Sequence, residues 1–236
     1  MRSWTRNFKG LLNFLVESSC PLCQRTTSKE FCPDCERQLQ GQKSLHPNGL
    51  WQGQLPVFAW GVYGGTLKRA IAAMKYEDQP QLARPLGEWL ARAWLNSQVA
   101  STDLVVVPIP LHPKRQKERG YNQAALLAQS FCELTGLDLQ QTGLERMRPT
   151  EAQFGLAASE REKNLAMAFG LGPGFRRHSP AKRVLLLDDV YTTGATARSA
   201  VQTLRQYDIQ VYGLAAIATP QKVNYGYASR SSNFYN

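Results

Sequence analysis

The chain has 236 residues, of which 43% are hydrophobic and 10% aromatic, enough for one sizeable core and a small additional module. Its formal net charge of +10 favours polyanionic ligands, such as phosphates, diphosphate or nucleic acid, without choosing among them. No apolar run approaches the length of a membrane span and no secretory signal is evident, so we predict a cytoplasmic protein with no membrane span.

The first 17 residues carry an apolar stripe with the spacing of an amphipathic helix, at Phe8, Leu11, Leu12, Leu15 and Val16. We predict that this helix packs against the domain that follows it. The basic residues of the segment leave a helix on a membrane surface as the alternative, through Arg2, Arg6 and Lys9.

Residues 20–35, CPLCQRTTSKEFCPDC, contain two C-x-x-C pairs separated by eight residues. Four thiolates on two turns can close a tetrahedral site of the kind that structural Zn²⁺ prefers, and a segment this short has no core of its own. We therefore predict a structural zinc ribbon whose ligands are Cys20, Cys23, Cys32 and Cys35. An iron–sulfur cluster and a redox-active disulfide pair are the alternatives.

Residues 41–56 are rich in Gly, Pro, Asn and Gln and are predicted to be a linker. The main domain then begins at Val57 with a strand-like run that ends in a glycine turn. Two helical patterns follow, one opening at Thr66 and the other covering about 81–95. The tryptophans of the second helix are predicted to be core residues rather than a platform for stacked bases, at Trp89 and Trp94.

Residues 103–107, DLVVV, predict a buried strand, and the three prolines in the PIPLHPKRQKERGYNQ that follows favour an extended loop. A loop at the carboxyl end of a strand is where α/β folds bind ligands. This loop carries a group of cations that we predict to hold a diphosphate, and a solvated basic face is the alternative. The cations are Lys114, Arg115, Lys117 and Arg119. A helix is predicted from about Asn122 to Leu134.

Residues 182–203, KRVLLLDDVYTTGATARSAVQT, combine the patterns of a strand, a tight turn and a helix. The apolar run 184–187 predicts a buried parallel strand, which ends at Asp188 and Asp189. A turn between a strand and a helix presents backbone N–H groups that bind phosphate, and Gly194 permits close approach and a positive φ. Because carboxylates accept hydrogen bonds from sugar hydroxyls, the segment predicts a sugar-phosphate site.

The thirteen residues from Val184 to Thr196 closely resemble the phosphoribosyl diphosphate (PRPP) motif of type I phosphoribosyltransferases. The resemblance implies that Asp188 and Asp189 hold the ribose 2′- and 3′-hydroxyls and that Mg²⁺ is bound on the diphosphate with water. It also implies a 5′-phosphate site at Thr192, Thr193, Gly194, Ala195 and Thr196. Purine-salvage members carry an acidic residue where this chain has Thr192. This departure argues against free purine bases and leaves orotate-type, amine-type and unknown acceptors open.

A second, wider resemblance covers nearly the whole chain, to about Pro220. The segments VVPIPLHPKRQKERGYNQ, RMRPTEAQFGLAASEREKNLAMAF and VLLLDDVYTTGATA, together with the cysteine pairs, are similar to the ComF family. This family is also called the GntX or amidophosphoribosyltransferase-like family. The similarity implies a part in natural transformation, DNA uptake or DNA utilisation, alongside a helicase-like partner. It does not imply a particular acceptor.

Residues 145–164 occupy the place of the loop that covers PRPP in related enzymes, where it excludes water from the ribosyl centre. Ser159 and Glu162 have the spacing of a capping box that opens a helix within it, and an ordinary charged hairpin is the alternative. The predicted PRPP contacts outside the motif are Pro108, Ile109, Pro110, Arg115, Lys117, Arg119, Arg146 and Arg148.

We predict the type I phosphoribosyltransferase fold, a mainly parallel sheet flanked by helices, with a small four-cysteine zinc ribbon. The predicted divisions are an N-terminal helix and ribbon at 1–45, the main domain at 50–219 and a flexible tail at 220–236. The predicted function is phosphoribosyl transfer with PRPP and Mg²⁺, in DNA uptake or utilisation. The alternative is a non-enzymatic module of the import machinery that keeps a PRPP-like pocket and binds single-stranded DNA or a helicase-type competence protein.

Overall fold

The structure is a computed structural model that describes residues 18–148 and 168–220. The helix predicted at residues 1–17, the capping box at Ser159 and Glu162, and the predicted flexible tail lie outside the described residues.

Nine strands and seven α-helices are found in the described parts of the chain. The strands are β1 (Ser18–Ser19), β2 (Thr26–Thr27), β3 (Val57–Val62), β4 (Leu104–Pro108), β5 (Asp138–Leu139), β6 (Leu144–Arg146), β7 (Phe169–Leu171), β8 (Arg183–Val190) and β9 (Val211–Thr219). The helices are α1 (Pro33–Gln40), α2 (Gly65–Tyr76), α3 (Ala83–Leu95), α4 (Pro113–Arg119), α5 (Gln123–Thr135), α6 (Pro173–Arg176) and α7 (Ala195–Arg205). A 3₁₀ turn at Pro80–Leu82 precedes α3.

The centre of the fold is a five-stranded parallel sheet in the order β3-β9-β8-β4-β5. Helices α2, α3 and α5 pack on one face of the sheet, and α7 packs on the other with the antiparallel pair β6 and β7. Because both faces are covered, the interior strands β4 and β8 are runs of buried aliphatic residues rather than alternating patterns. The predicted fold class, a mainly parallel sheet flanked by helices with a small four-cysteine appendage, is confirmed.

The prediction of a core tryptophan is confirmed for Trp94, whereas Trp89 is partly buried and packs against the core. Trp94 is 1% exposed, and Trp89 stacks on Trp60 at a ring separation of 5.4 Å and on Phe31 at 5.8 Å. Trp89 of α3 therefore contributes to the packing of this helix against the sheet and the cysteine ribbon.

The segment after β4 differs from the expected extended loop, because it forms the short helix α4. Pro113 occupies the first helical position, where its fixed φ suits the helix and its missing N–H has no cost. The side chain of His112 accepts a hydrogen bond from the Lys114 N–H at 3.3 Å, and Gly120 ends the helix with a φ of 83°. The helix collects the predicted basic residues at one edge of the sheet.

Strand β8 is longer than the apolar run that predicted it. Its pairing with β9 continues through Asp188 opposite Ala216 to Val190 opposite Ala218, so both aspartates lie within the strand. Successive residues of a strand point to opposite faces, and the two carboxylates therefore belong to different sides of the sheet. Asp188 shares the side of α7 and β6, and Asp189 shares the side of α2 and α5.

No helix in the described ranges 18–148 and 168–220 combines the length and the apolar character needed to cross a membrane.

Candidate functional site

The turn between β8 and α7 has the backbone geometry expected of a phosphate cradle. Gly194 caps α7 with a φ of 75°, in the left-handed region that favours glycine. A Cβ at this position would lie 2.5 Å from the Tyr191 hydroxyl and 2.8 Å from its ring, so a larger residue would displace the tyrosine. Thr192 and Thr193 are exposed, and the Thr193 hydroxyl accepts a hydrogen bond from the Ala195 N–H at 3.4 Å. The turn thus offers hydroxyls and N–H groups at the start of a helix.

The two aspartates beside this turn have different partners. The Asp188 Oδ1 accepts a hydrogen bond from the Asp189 N–H at 2.8 Å, and Asp188 keeps some accessible surface. Asp189 is 3% exposed, its Oδ1 accepts from the Val190 N–H at 2.9 Å, and its Oδ2 forms an ion pair with Lys75 of α2. Asp188 is therefore the carboxylate open to a ligand, while Asp189 is held by a lysine.

These contacts raise the pKa of both Asp188 and Lys75, which disfavours the charged form of the carboxyl and favours that of the ammonium group. Burial, followed by repulsion from Asp189, raises the pKa of the Asp188 carboxyl well above its ordinary value. For Lys75, burial opposes the charged form, but the attraction of Asp189 and Asp188 outweighs it and raises the pKa of the ammonium group. The charged form of Lys75 is thus favoured, whereas ionisation of Asp188 is disfavoured by its surroundings.

Arg146 approaches the same place from β6. Its guanidinium lies over the Phe169 ring, 5.4 Å from the centroid, and its Nε is buried without a hydrogen-bond partner among the described residues. Burial lowers the pKa of Arg146, the charge of Asp188 opposes this decrease, and the charge of Arg115 adds to it. Arg146, Asp188 and Arg115 are therefore near enough to influence one another electrostatically. Arg148, two residues further along the chain, is exposed.

The loop after β4 is fixed between two elements of the site. The Ile109 N–H donates to the Leu187 carbonyl at 2.9 Å, and the Asn122 side-chain amide donates to the Ile109 carbonyl at 3.0 Å. Pro108 and Ile109 are buried and Pro110 is partly buried, so this loop forms a rigid wall beside β8.

A cleft of ≈ 380 Å³ lies between the end of α2 and α4. Four cationic residues and one acidic residue line it, namely Lys75, Lys114, Arg115, Arg119 and Glu118, together with His112 and Tyr76. Arg119 donates to the Gln123 side chain and lies over the Tyr76 ring at 5.6 Å. Lys117 is exposed and does not line this cleft. The excess of positive charge suits a ligand with several negative charges.

Lys75 and Tyr76 are the residues of this region that the sequence did not single out. Both stand at the end of an ordinary amphipathic helix, where a lysine is usually a solvated side chain. Only the packing of α2 against the sheet shows that Lys75 reaches Asp189.

The four paired cysteines converge in space as their spacing predicts. The ligand atoms of Cys20, Cys23, Cys32 and Cys35 all lie within 4.8 Å of one another, and the Cys23 and Cys32 sulfurs are 3.4 Å apart. Tetrahedral zinc with Zn–S bonds of about 2.3 Å needs sulfurs separated by about 3.8 Å, so the arrangement fits such an ion. Burial and the neighbouring thiols raise the pKa of Cys35, because these thiols do not ionise together without a cation.

The two cysteine turns are built differently. In the first, the Gln24 N–H donates to the Cys20 carbonyl at 2.8 Å and Gln24 takes a φ of 63°. In the second, Cys32 caps α1 and Cys35 lies in its first turn, with Pro33 at the first helical position. The cluster could hold a metal such as zinc, and its four protein ligands leave no open position for catalysis.

The fold and the site together define the class of this protein. It has the mainly parallel sheet flanked by helices that the sequence predicted, with a possible metal site formed by four cysteines. No family model matches the chain. The chain is 31% identical over 219 residues to Competence protein F of Haemophilus influenzae, with 88% of this chain and 94% of the relative covered. It therefore belongs to the ComF (competence protein F) family.

Other proteins are also similar to this chain. DNA utilization protein YhgH of Escherichia coli K12 is 29% identical over 197 residues, 78% of this chain and 83% of the relative. Adenine phosphoribosyltransferase from Leishmania tarentolae is similar with a TM-score of 0.39 and 15% identity, covering 78% of this chain and 73% of that one. An allosteric regulatory enzyme of purine biosynthesis is similar with a TM-score of 0.37 and 23% identity. That match covers 61% of this chain and 26% of the enzyme.

Proposed function

We propose that this protein binds PRPP and transfers its phosphoribosyl group, with Mg²⁺, during DNA uptake or DNA utilisation. The observation that carries the proposal is the meeting of three groups at the carboxyl end of β8. These groups are the threonine–glycine turn of α7, the Asp188 and Asp189 pair, and a set of cations from α2, α4 and β6. The names of the relatives, a competence protein and a DNA utilization protein, support the biological process.

Each part of PRPP has a chemically suitable place in this arrangement. The turn at 192–196 would hold the 5′-phosphate through backbone N–H groups and hydroxyls. Asp188 would accept from the ribose hydroxyls and stabilise the positive charge that develops on the ribosyl ring. The cations of the α4 cleft would neutralise the departing diphosphate.

The donors available to Mg²⁺ fit this assignment. Mg²⁺ prefers oxygen ligands and is bound largely through substrate phosphates, and Asp188 is a partly exposed carboxylate on the same side of the sheet as Arg146. When bound with PRPP, the ion would supply further neutralisation of the diphosphate charge.

Arg146 supplies independent support for an anionic ligand. A buried donor without a partner has an energetic cost of about 1–3 kcal/mol, so such groups are rare unless they serve a function. The Arg146 Nε is such a donor within the described residues, and it lies in the field of Asp188 and Arg115. An oxygen of the PRPP diphosphate would satisfy it.

Calorimetric titration with PRPP and Mg²⁺ tests the proposal. We expect saturable binding by the wild-type protein, no binding by the double variant Asp188→Ala/Asp189→Ala, and a loss of at least about tenfold for Arg146→Met. Arg183→Met is the matched control, because Arg183 also lies over an aromatic ring, that of Tyr212 at 4.6 Å, but at the opposite end of β8. Absence of binding by the wild-type protein would contradict the proposal.

A second candidate function is the binding of single-stranded nucleic acid or of a partner protein without catalysis. The observation that favours it is the exposure of Lys114, Arg115 and Lys117 on α4, for which the described residues supply no ion pair, in a chain of net charge +10. Fluorescence anisotropy with labelled single strands across a salt series tests it. Binding through phosphates predicts a steep fall of log affinity with log salt, and affinity that is independent of salt would exclude it.

A further inference from the structure

Lys75 contacts both parts of the proposed site, the carboxylates of β8 and the cationic cleft beside α4. Its ammonium group pairs with Asp189, the buried carboxylate of β8, and its side chain also lines the cationic cleft beside α4. The lysine side chain is 21% exposed and the Asp189 side chain 5% exposed. An ammonium group has three N–H donors, so pairing with Asp189 leaves donors for the cleft.

The position of Lys75 is fixed by contacts on both sides of it. The Tyr121 hydroxyl donates to the carbonyl of Met74 at 2.6 Å, which ties the end of α2 to the segment that joins α4 and α5. Arg119 lies over the ring of Tyr76, the next residue, at 5.6 Å. The end of α2 is thus fastened to the wall of the cleft, and a rigid support of this kind positions a charged group with little loss of entropy on binding.

The charges around the lysine explain why a cation is needed there. Asp188 and Asp189 are adjacent carboxylates, and a diphosphate in the α4 cleft would bring further negative charge towards them. Lys75 pairs with Asp189 and also lines this cleft, so its charge would attract both the carboxylate and a diphosphate bound there. A cation at this position reduces the repulsion between the ribose-binding carboxylates and the diphosphate.

We propose that Lys75 is a specificity-determining residue that contacts the diphosphate of PRPP while it positions Asp189, so that the site prefers PRPP to ribose 5-phosphate. This inference rests on the proposed function and assigns a specific role in it to Lys75 of α2, which belongs to neither the PRPP motif nor the α4 loop. If Lys75 served only to pair with Asp189, then replacing Lys75 in a protein that lacks the Asp189 charge would not change the affinity for diphosphate-bearing ligands.

A double-mutant cycle at positions 75 and 189 separates the two roles. The four proteins are the wild type, Lys75→Met, Asp189→Asn and Lys75→Met/Asp189→Asn, each titrated calorimetrically with inorganic pyrophosphate, PRPP and ribose 5-phosphate in the presence of Mg²⁺. The double variant leaves no buried charge unpaired. We therefore expect it to fold even if a single variant does not. Near-ultraviolet circular dichroism checks the fold of each protein.

In the Asp189→Asn background, we expect Lys75→Met to weaken pyrophosphate and PRPP binding by about tenfold or more, as loss of a charge-assisted hydrogen bond predicts. Ribose 5-phosphate, which has no diphosphate, should change by less than about threefold. Equal affinities of Asp189→Asn and Lys75→Met/Asp189→Asn for pyrophosphate and PRPP, or an equal loss for all three ligands, would overturn the inference alone and leave PRPP binding in place. If the wild-type protein binds none of the three ligands, the inference and the proposed function both fail.

Discussion

At the scale of single residues, Asp188 and Asp189 are neighbours with opposite effects on stability. The pKa of Asp188 is raised by burial and by Asp189, so the stability that it contributes is present below the unfolded pKa and is lost as the pH rises through the folded pKa. At neutral pH its ionised form is therefore unfavourable. Asp189, by contrast, is neutralised by Lys75. The proposed function thus uses a carboxylate whose charged form the fold disfavours.

We expect Asp188→Asn to increase the melting temperature at pH 8 by about 2–4 °C, because the amide removes an unfavourable charge and its oxygen still accepts from the Asp189 N–H. The difference in melting temperature should shrink as the pH is lowered, because the wild-type carboxyl then gains its proton. Asp189→Asn should instead destabilise the protein by roughly 2–3 kcal/mol, since Lys75 loses its partner. Thermal melts of both variants between pH 5 and 8 check the signs, and a loss of stability in both at pH 8 would contradict the assignment.

At the scale of the element, the start of α7 depends on a backbone conformation. Gly194 has a φ of 75°, and a Cβ there would lie 2.5 Å from the Tyr191 hydroxyl. The turn and the helix can therefore bring their N–H groups together only with glycine at this position. A turn of this type is recognisable from sequence, since its chemistry is local.

We expect Gly194→Ala to destabilise the protein by about 1–2 kcal/mol through the left-handed φ and to abolish the proposed binding of the 5′-phosphate. Gly136→Ala is the matched control, because Gly136 has a similar φ of 72° at the end of α5 and nothing within 4 Å of an added Cβ. Gly136→Ala should lower the free energy of unfolding by a similar amount and leave the affinity for PRPP unchanged. Calorimetric titration and urea unfolding of both variants measure the two effects, and equal losses of affinity would argue against a phosphate cradle at α7.

At the scale of the whole molecule, the cysteine ribbon and the sheet share one hydrophobic core. Leu22, Phe31 and Leu39 belong to the same buried cluster as the residues of α2 and α3. The Thr66 hydroxyl donates to the Gln38 side chain at 2.8 Å, and the Arg69 guanidinium donates to the Leu22 carbonyl. A change at the four-cysteine cluster is therefore expected to reach the sheet.

We expect removal of the metal by a strong chelator to lower the free energy of unfolding of the entire protein by at least about 4 kcal/mol, in one cooperative transition. Differential scanning calorimetry and a colorimetric zinc assay measure the effect, with release of one zinc ion per chain. Cys132→Ala is the control, because Cys132 is buried in α5 away from the cluster and should leave the metal content unchanged. Two separate transitions, one of them insensitive to the chelator, would show instead that the ribbon is energetically independent.

The sequence by itself determined the parts that depend on local chemistry. The spacing of the four cysteines predicted the cluster, the apolar runs predicted the buried strands, and the glycine of the TTGAT turn predicted the turn that begins α7. Each of these follows from residues close together in the chain, where turn preference and hydrophobic pattern act directly.

Only the tertiary structure decided which charges meet. The separation of Asp188 and Asp189 onto two faces depends on how far the pairing of β8 with β9 continues, which the run of apolar residues did not reveal. The pairing of Lys75 with Asp189 joins residues 114 positions apart, and the isolated donor of Arg146 depends on the packing of β6 against the sheet. Burial and the distance between charges set the strength of these interactions, and both arise only when the whole chain is packed.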